Sequence, residues 1–284
     1  MKTEVAENVY WVGAIDWNVR NFHGYTYTTH RGTTYNAYLI LDEQVALVDT
    51  VAAQFTEEMI SRIRGLVSPA EIELVIANHG ELDHSGAIPA LMALAPQARL
   101  VGTAKVQATL ARYFGHRDWR WQTVGTGDEL RLGQKRLTFI EAPMLHWPDS
   151  MFTYLPEEQL LLPNDAFGQH IATSQRFADQ VDRWVVFDEA AKYYANILWP
   201  FSRLVLRKLE EARKAGIEIS TIAPSHGLIW RGNPGPSDII QAYTNWAQGK
   251  AEPRAVIVYE TMWGATERIA RAIAQGIMEE GLEV

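Results

Sequence analysis

An α/β fold is what this 284-residue sequence predicts, on three observations. Short apolar runs of strand length alternate with segments of helical periodicity. Histidines and acidic residues recur directly behind those strand-like runs. A polar stretch containing Gly and Pro, near residue 250, then separates this body from one further continuous apolar run.

Taken in order, Val45-Ala46-Leu47-Val48-Asp49-Thr50 reads as a strand. Its terminal Asp49 is either a turn carboxylate or an outer support for a nearby site. Phe55 to Gly65 has helical periodicity, and Ile72 to Asn78 is the next apolar strand. The run His79-Gly80-Glu81-Leu82-Asp83-His84 follows at once, and the helix-like Ile88 to Leu94 comes after Ser85-Gly86-Ala87. The cluster therefore lies on a strand-to-helix loop, with an N-cap as the plainer reading of Asp83. Three later strands repeat the arrangement: Leu137 to Ala142 precedes His146, Leu160 to Leu162 precedes Asp165, and Ile219 to Ala223 precedes His226. Open α/β sheets collect their sites at the carboxyl ends of strands, where loops vary over a rigid scaffold.

Four imidazoles and three carboxylates exceed the needs of one tetrahedral ion. They suit two cations that share a carboxylate and keep positions open for substrate. A lone His226 or Asp165 would be an ordinary turn residue; beside the dense first cluster both become candidate ligands. His84 is the least secure of the set, since it also reads as an outer or solvent-facing residue. Among the other histidines, His23 in Phe22-His23-Gly24-Tyr25 is a candidate pocket residue and His170 a candidate support for the site, while His30 and His116 read as loop residues. The ten tryptophans are most simply core or subunit-interface mass.

Composition narrows the function classes. A net charge of −8 without Lys/Arg clusters argues against nucleic-acid binding and for solubility. With no cysteine, disulfides, Cys-ligated zinc and iron–sulfur clusters are excluded, so redox chemistry must come from other bound cofactors. Neither a secretory signal nor a membrane-length apolar run is visible, which leads to the expectation of a cytoplasmic protein.

The boundary falls near Gln248 to Arg254, giving an expected first domain over 1–249 and a second segment over 250–284. In the second, Ala255 to Tyr259 reads as a strand covered on both faces. Thr261-Met262-Trp263-Gly264-Ala265-Thr266 opens a helix, as an ordinary turn or as a phosphate loop. Ile269, Ile273 and Ile277 form an apolar stripe with nothing downstream to cover it before Val284.

The pattern His-x-Glu-x-Asp-His, followed by His146, Asp165 and His226 with 61, 18 and 60 intervening residues, resembles the flavodiiron proteins, A-type flavoproteins that reduce oxygen or nitric oxide. Leu145 to Met151, Asn164 to Gln169, Asp16-Trp17-Asn18 and Phe22 to Tyr25 resemble the same family. The resemblance implies a metallo-β-lactamase-like αββα sandwich followed by the first strand and helix of a flavodoxin-like domain. It implies one non-haem iron on His79, Glu81 and His146, a second on Asp83, His84 and His226, and Asp165 as bridge, with no catalytic residue beyond these ligands. It further implies FMN held at Thr261, Met262, Trp263, Gly264, Ala265 and Thr266, a rubredoxin-like or other reductase as electron donor, and a head-to-tail homodimer. With the flavodoxin-like part expected to be incomplete at Val284, FMN is expected to bind the given chain poorly. The alternatives are a dinuclear hydrolase of the metallo-β-lactamase type, or a metal-binding remnant without electron delivery. Against the hydrolase stands Glu81, where those enzymes carry a histidine. A carboxylate hardens that position and favours iron over zinc.

Overall fold

The computed structural model describes residues 3–22, 24 and 26–284, so the candidate pocket residue His23 lies outside the described residues. Within it the chain forms two compact units, 1–247 and 248–284.

The first unit is built on two sheets. Its N-terminal part gives strands β1 (Thr3–Ala6), β2 (Val9–Trp11), β3 (Ala14–Asp16), β4 (Asn21–Phe22), β5 (Tyr27–Thr28), β6 (Thr33–Tyr35), β7 (Tyr38–Ile40) and β8 (Val45–Val48). Next come α1 (Thr56–Arg64), β9 (Ile72–Ile76), the short α2 (Leu82–Ser85), α3 (Ile88–Leu94), β10 (Arg99–Gly102), α4 (Ala104–Phe114) and β11 (Arg120–Thr123). The remainder is β12 (Glu129–Arg131), β13 (Arg136–Glu141), β14 (Met151–Leu155), β15 (Leu160–Leu162), α5 (Arg183–Tyr193), α6 (Ser202–Lys214), β16 (Thr221–Ile222) and α7 (Pro236–Ala247). The larger sheet has the order β1-β2-β7-β8-β9-β10-β11 and the smaller β12-β13-β14-β15-β16, while β3 pairs with β6 and β4 with β5 as separate ribbons.

Alternation along each strand decides the layering, because neighbouring side chains point to opposite faces. In β8, Leu47 packs with Ile60 and Ile63 of α1, whereas Val48 faces the other sheet beside Phe139 and Leu160. Val75 and Ile76 of β9 divide in the same way. On the far side, Phe152 and Leu161 of the smaller sheet pack with Val186 of α5, Val205 of α6 and Ile239 of α7. Two sheets packed face to face with helices on both outer surfaces make the αββα sandwich. In the parallel run β8-β9-β10-β11 the first three strands are buried on both faces, as helical crossovers require, and β11 is the half-exposed edge.

Local chemistry fixes the helices. In α1, Glu57 and Glu58 lie in the first turn and Arg62 and Arg64 in the last, matching the helix dipole, and Met59, Ile60 and Ile63 form the buried face. The Thr103 hydroxyl accepts from the Val106 N–H to start α4, and Asp182 accepts from the N–H groups of Trp184 and Val185 to start α5. The strand before His226 is shorter than its apolar run suggests: only Thr221 and Ile222 pair with β15, and Ser220 bonds Gln159.

The second unit carries α8 (Ala265–Glu279). Residues 255–259 correct the expectation of a strand covered on both faces. They form no ladder, the nearest pairing is a bridge between Arg254 and Glu283, and Val256 and Val258 are 81% and 91% exposed. A strand requires partners for its N–H and C=O groups along its length, and the single bond from the Ala255 N–H to the Glu283 carbonyl at 2.7 Å does not make a ladder. Ile269 and Ile273 on α8 are likewise exposed, as the uncovered stripe predicts.

Candidate metal centre

Four loops at the carboxyl ends of β9, β13, β15 and β16 bring the seven candidate ligands to one rim of the sandwich. Two triads form. His79, His146 and Asp165 place one donor atom each within 4.8 Å of one another, and Asp83, His84 and His226 do the same. Asp165 faces both. Its Oδ2 lies 3.3 Å from His146 Nε2 and 4.0 Å from His79 Nε2, while Oδ1 lies 3.2 Å from His84 Nε2 and 3.4 Å from His226 Nε2. Glu81 joins the first triad, with Oε2 3.3 Å from His79 Nε2 and 3.7 Å from His146 Nε2. Asp83 joins the second, with Oδ2 3.2 Å from His226 Nε2. Asp83 does not act as an N-cap, because it falls inside α2, whose cap position is Glu81.

The backbone around these ligands is specialised. A Cβ on Gly80 would stand 2.6 Å from Thr109 Cγ2 and 2.9 Å from Asp149 Oδ2, so only glycine lets this loop close on its support. Gly227, after His226, has φ +78° and leaves a Cβ only 2.0 Å from Gln169 Oε1. Asp49 and Asn164 adopt positive φ of 55° and 53° at the turns leading into the site, a conformation that Asp and Asn tolerate better than most residues.

Hydrogen bonds behind the ligands fix which nitrogen each ring presents. His79 Nδ1 donates to Asp149 Oδ1 at 2.8 Å and His226 Nδ1 donates to the Thr34 carbonyl at 2.7 Å, so both Nε2 atoms point inward. Asp149 also accepts from Gly80 N at 3.2 Å. Asp49 ties two loops together. It accepts from Asn78 N at 2.8 Å and from the side-chain amides of Asn78 and Asn164, the residues directly before His79 and Asp165. Tyr193 donates to Asp165 Oδ1 at 3.0 Å. His170 is buried with its ring 5.0 Å from that of His226 and its Nδ1 2.7 Å from Thr33 Oγ1, close enough to buttress the second triad. His30 and His116 are exposed loop residues, as expected.

The electrostatics show what the cavity is built for. Burial alone would push the His79 imidazole down, but the hydrogen bond to Asp149 and the carboxylates of Glu81 and Asp165 hold it up at about 10. For His226, burial is likewise outweighed by Asp165 and Asp83, again giving about 10. Burial would raise the Asp165 and Asp83 carboxyls, yet the surrounding imidazoles hold both below the ordinary carboxylate range. Without metal, protons on the histidines balance the buried carboxylates. Asp83 Oδ1, Asp165 Oδ2 and both ring nitrogens of His84 remain buried without a well-formed hydrogen bond. Such atoms are costly unless another partner takes them up, and their convergence with the Nε2 atoms fits a pair of cations. A donor set of imidazoles and carboxylates without sulfur suits iron, zinc or manganese, and Glu81 shifts it toward the harder ions.

Three ligand side chains reach the surface of the rim, Glu81 at 20% exposed, Asp83 at 15% and His146 at 12%, whereas His79, His84, Asp165 and His226 are almost fully enclosed. A cleft of about 320 Å³ opens beside His146, lined by Thr26, Tyr27, Trp147, Asn196 and Ile197. Asn196 and Ile197 come from a π-helical turn that continues α5, Tyr194–Leu198.

Comparison with known proteins agrees with this architecture. Residues 33–227 match a family model described as ODP family beta lactamase. The chain is 55% identical over 280 residues to a nitric oxide reductase of Moorella thermoacetica, covering 99% of this chain and 70% of that protein. It is 45% identical over 280 residues to an anaerobic nitric oxide reductase flavorubredoxin of Escherichia coli, covering 98% of this chain and 58% of the relative. Among solved structures, rubredoxin oxygen:oxidoreductase from Desulfovibrio gigas superposes with a TM-score of 0.96 at 39% identity, across 100% of this chain and 71% of that one. The flavodiiron protein of Giardia intestinalis does so with a TM-score of 0.94 at 39% identity, across 100% of this chain and 68% of that one. The ODP match spans the rim that gathers every candidate ligand and the solved relatives carry the same sandwich, so the chain belongs to the flavodiiron family.

Proposed function

We propose that this chain is a diiron oxidoreductase that reduces nitric oxide to nitrous oxide, oxygen to water, or both. The observation that carries the reading is Asp165, buried between two triads with one carboxylate oxygen turned toward each. In this reading His79, Glu81 and His146 hold one iron, Asp83, His84 and His226 hold the other, and Asp165 bridges them. Bound there, two ferrous ions supply electrons and open coordination positions for a diatomic gas. The chain's own residues bury His79, His84, Asp165 and His226, orient the Nε2 atoms of His79 and His226 through Asp149 and Thr34, and offer the Tyr193 hydroxyl to the bridging carboxylate. The names of the Moorella and Escherichia relatives and of the Desulfovibrio structure support both substrates.

In this reading Thr261 to Thr266 would hold FMN, which would supply electron transfer from a rubredoxin-like or other reductase, and the protein would be a cytoplasmic homodimer. Support for the flavin comes from Thr261 to Thr266. The Thr261 hydroxyl accepts from Gly264 N at 2.9 Å, Gly264 has φ +77°, and the fifteen-residue α8 starts at the next residue, so backbone N–H groups are presented to a phosphate. No helix among the described residues is long and apolar enough to cross a membrane.

The test is anaerobic reconstitution with ferrous iron, followed by assay with an artificial reductant. Consumption of nitric oxide or oxygen, without appreciable β-lactam or thioester hydrolysis, is the expected result. Robust hydrolysis with no gas reduction would assign the site to the hydrolases instead.

A further inference from the structure

We infer that an apolar cavity beneath α6, which opens to the surface and reaches the metal loops, binds the uncharged diatomic gas; this rests on the reading of the function given above. The cavity measures about 390 Å³. Its floor is the outer face of the smaller sheet, with Ile140, Phe152 and Leu161, and its roof includes Val205 and Leu209 of α6. It exists because α6 docks loosely: Val205 is the helix's buried side chain, while Leu204 and Leu209 are only partly covered.

The two ends of the cavity differ. At the surface end the wall includes Lys208 and Arg213 of α6, whose charges are already paired, Lys208 Nζ with Glu211 at 2.7 Å and Arg213 with Glu210 at 2.8 Å. At the other end are Leu145, Ala166 and Phe167, all about 95% buried. Leu145 directly precedes His146, and Ala166 and Phe167 directly follow Asp165, so this wall is the back of two ligand loops. The phenol of Tyr243 at this end is engaged by the Phe167 N–H at 2.7 Å.

These features select the occupant. A lipid or other amphiphilic acid needs a free cation or polar anchor for its head group, and both α6 cations at the mouth are neutralised by their own helix. Apart from the charged mouth and Thr126, whose hydroxyl accepts from the Glu141 N–H at 2.9 Å, the lining is aliphatic and aromatic, a surface that does not hold water well and that small apolar molecules enter readily. Oxygen and nitric oxide are of that class. None of the seven candidate ligands lines the cavity, so gas held there would be stored behind the loops of His146 and Asp165 and pass to the centre through the wall of Leu145, Ala166 and Phe167, at a higher local concentration than in bulk water. The cavity thereby acts on capture of the gas and not on its chemistry.

Xenon is the probe for the cavity, because it reports apolar space without depending on iron. The purified full chain should show xenon in this cavity in pressurised crystals, and Val205→Phe and Ala212→Phe should abolish it. Ala212 is half-buried on α6, so its variant carries the test if Val205→Phe fails to fold. In iron-loaded protein with an artificial reductant, both variants should raise KM for the gas roughly two- to fivefold at unchanged kcat and iron content, the mark of lost capture without lost chemistry. Absence of xenon from the cavity of the parent protein, or a co-purifying lipid found there, would overturn the inference. So would an unchanged KM in variants that have lost xenon. If the parent protein binds xenon but reduces neither gas, the functional reading falls and the gas assignment falls with it.

Discussion

Asp165 decides whether this is one site or two. A carboxylate whose oxygens face separate triads couples them, so Asp165→Ala is expected to empty both metal positions together, measured as metal per chain after reconstitution. Loss of one metal alone would remove it from the bridging position. His84 makes a second contrast. Its ring nitrogen Nδ1 lacks an acceptor like the Thr34 carbonyl that takes the His226 Nδ1–H, and such outer bonds raise metal affinity by roughly ten- to a hundredfold. His226→Ala should therefore weaken the second metal by about that factor more than His84→Ala, measured by competition with a chelator; equal losses would show that the outer bond contributes nothing. The seven were legible as candidates because four short apolar runs each lead within a few residues into a loop that carries them, His84 being the least secure of the set. Their supports were less so. Asp149 lies three residues past His146 and could have been found as a nearby carboxylate, and Asn78 and Asn164 each stand one residue before a ligand. Tyr193 carries no local signal, since helix α5 brings it to Asp165 from 28 residues away.

At the scale of elements, the site depends on loops held at strand ends. Asp49 terminates β8 and binds the loops after β9 and β15 at the same time. Truncating it strands the Asn78 N–H and the Asn164 amide in the interior, at about 1–3 kcal/mol for each group left without a partner, and leaves the Asn78 amide only the Leu162 carbonyl. Asp49→Ala is thus expected to lower thermal stability and metal occupancy together, and normal occupancy with normal melting would contradict its role. The sequence left Asp49 open between turn residue and support, because only the fold shows two loops converging on it. The elements that lead into the ligand loops, β8, α1, β9, α3, β13, β15 and β16, followed from apolar runs and periodicity, since both faces of each are settled by packing within that unit. The run 255–259 did not follow, because apolar composition specifies a strand only where another strand is present to pair with it.

For the whole molecule, charge balance in the interior predicts how the metal-free protein responds to pH. His79 and His226 sit at about 10 when folded and near the ordinary value of 6.5 when unfolded. Folding therefore tightens proton binding, and the resulting stability is fully present below about pH 6.5 and is lost as the pH rises toward 10. The carboxylates Asp83 and Asp165, held below the ordinary 3.8, add stability that disappears as the pH falls below that value. Melting temperature of the metal-free chain should decline steadily between pH 7 and 10, while the metal-loaded chain, with cations in place of those protons, should change far less. A flat profile in the metal-free protein would mean that the histidines are neutral in the empty site.

Two irons sharing one carboxylate are the central feature of the proposed site. Iron stoichiometry combined with Mössbauer spectroscopy of the anaerobically reconstituted and then oxidised chain addresses this most directly. About two irons per chain in a magnetically coupled pair is the expected result, from the two triads that meet at Asp165. Stoichiometric zinc with no iron after reconstitution, or isolated uncoupled iron, would contradict it.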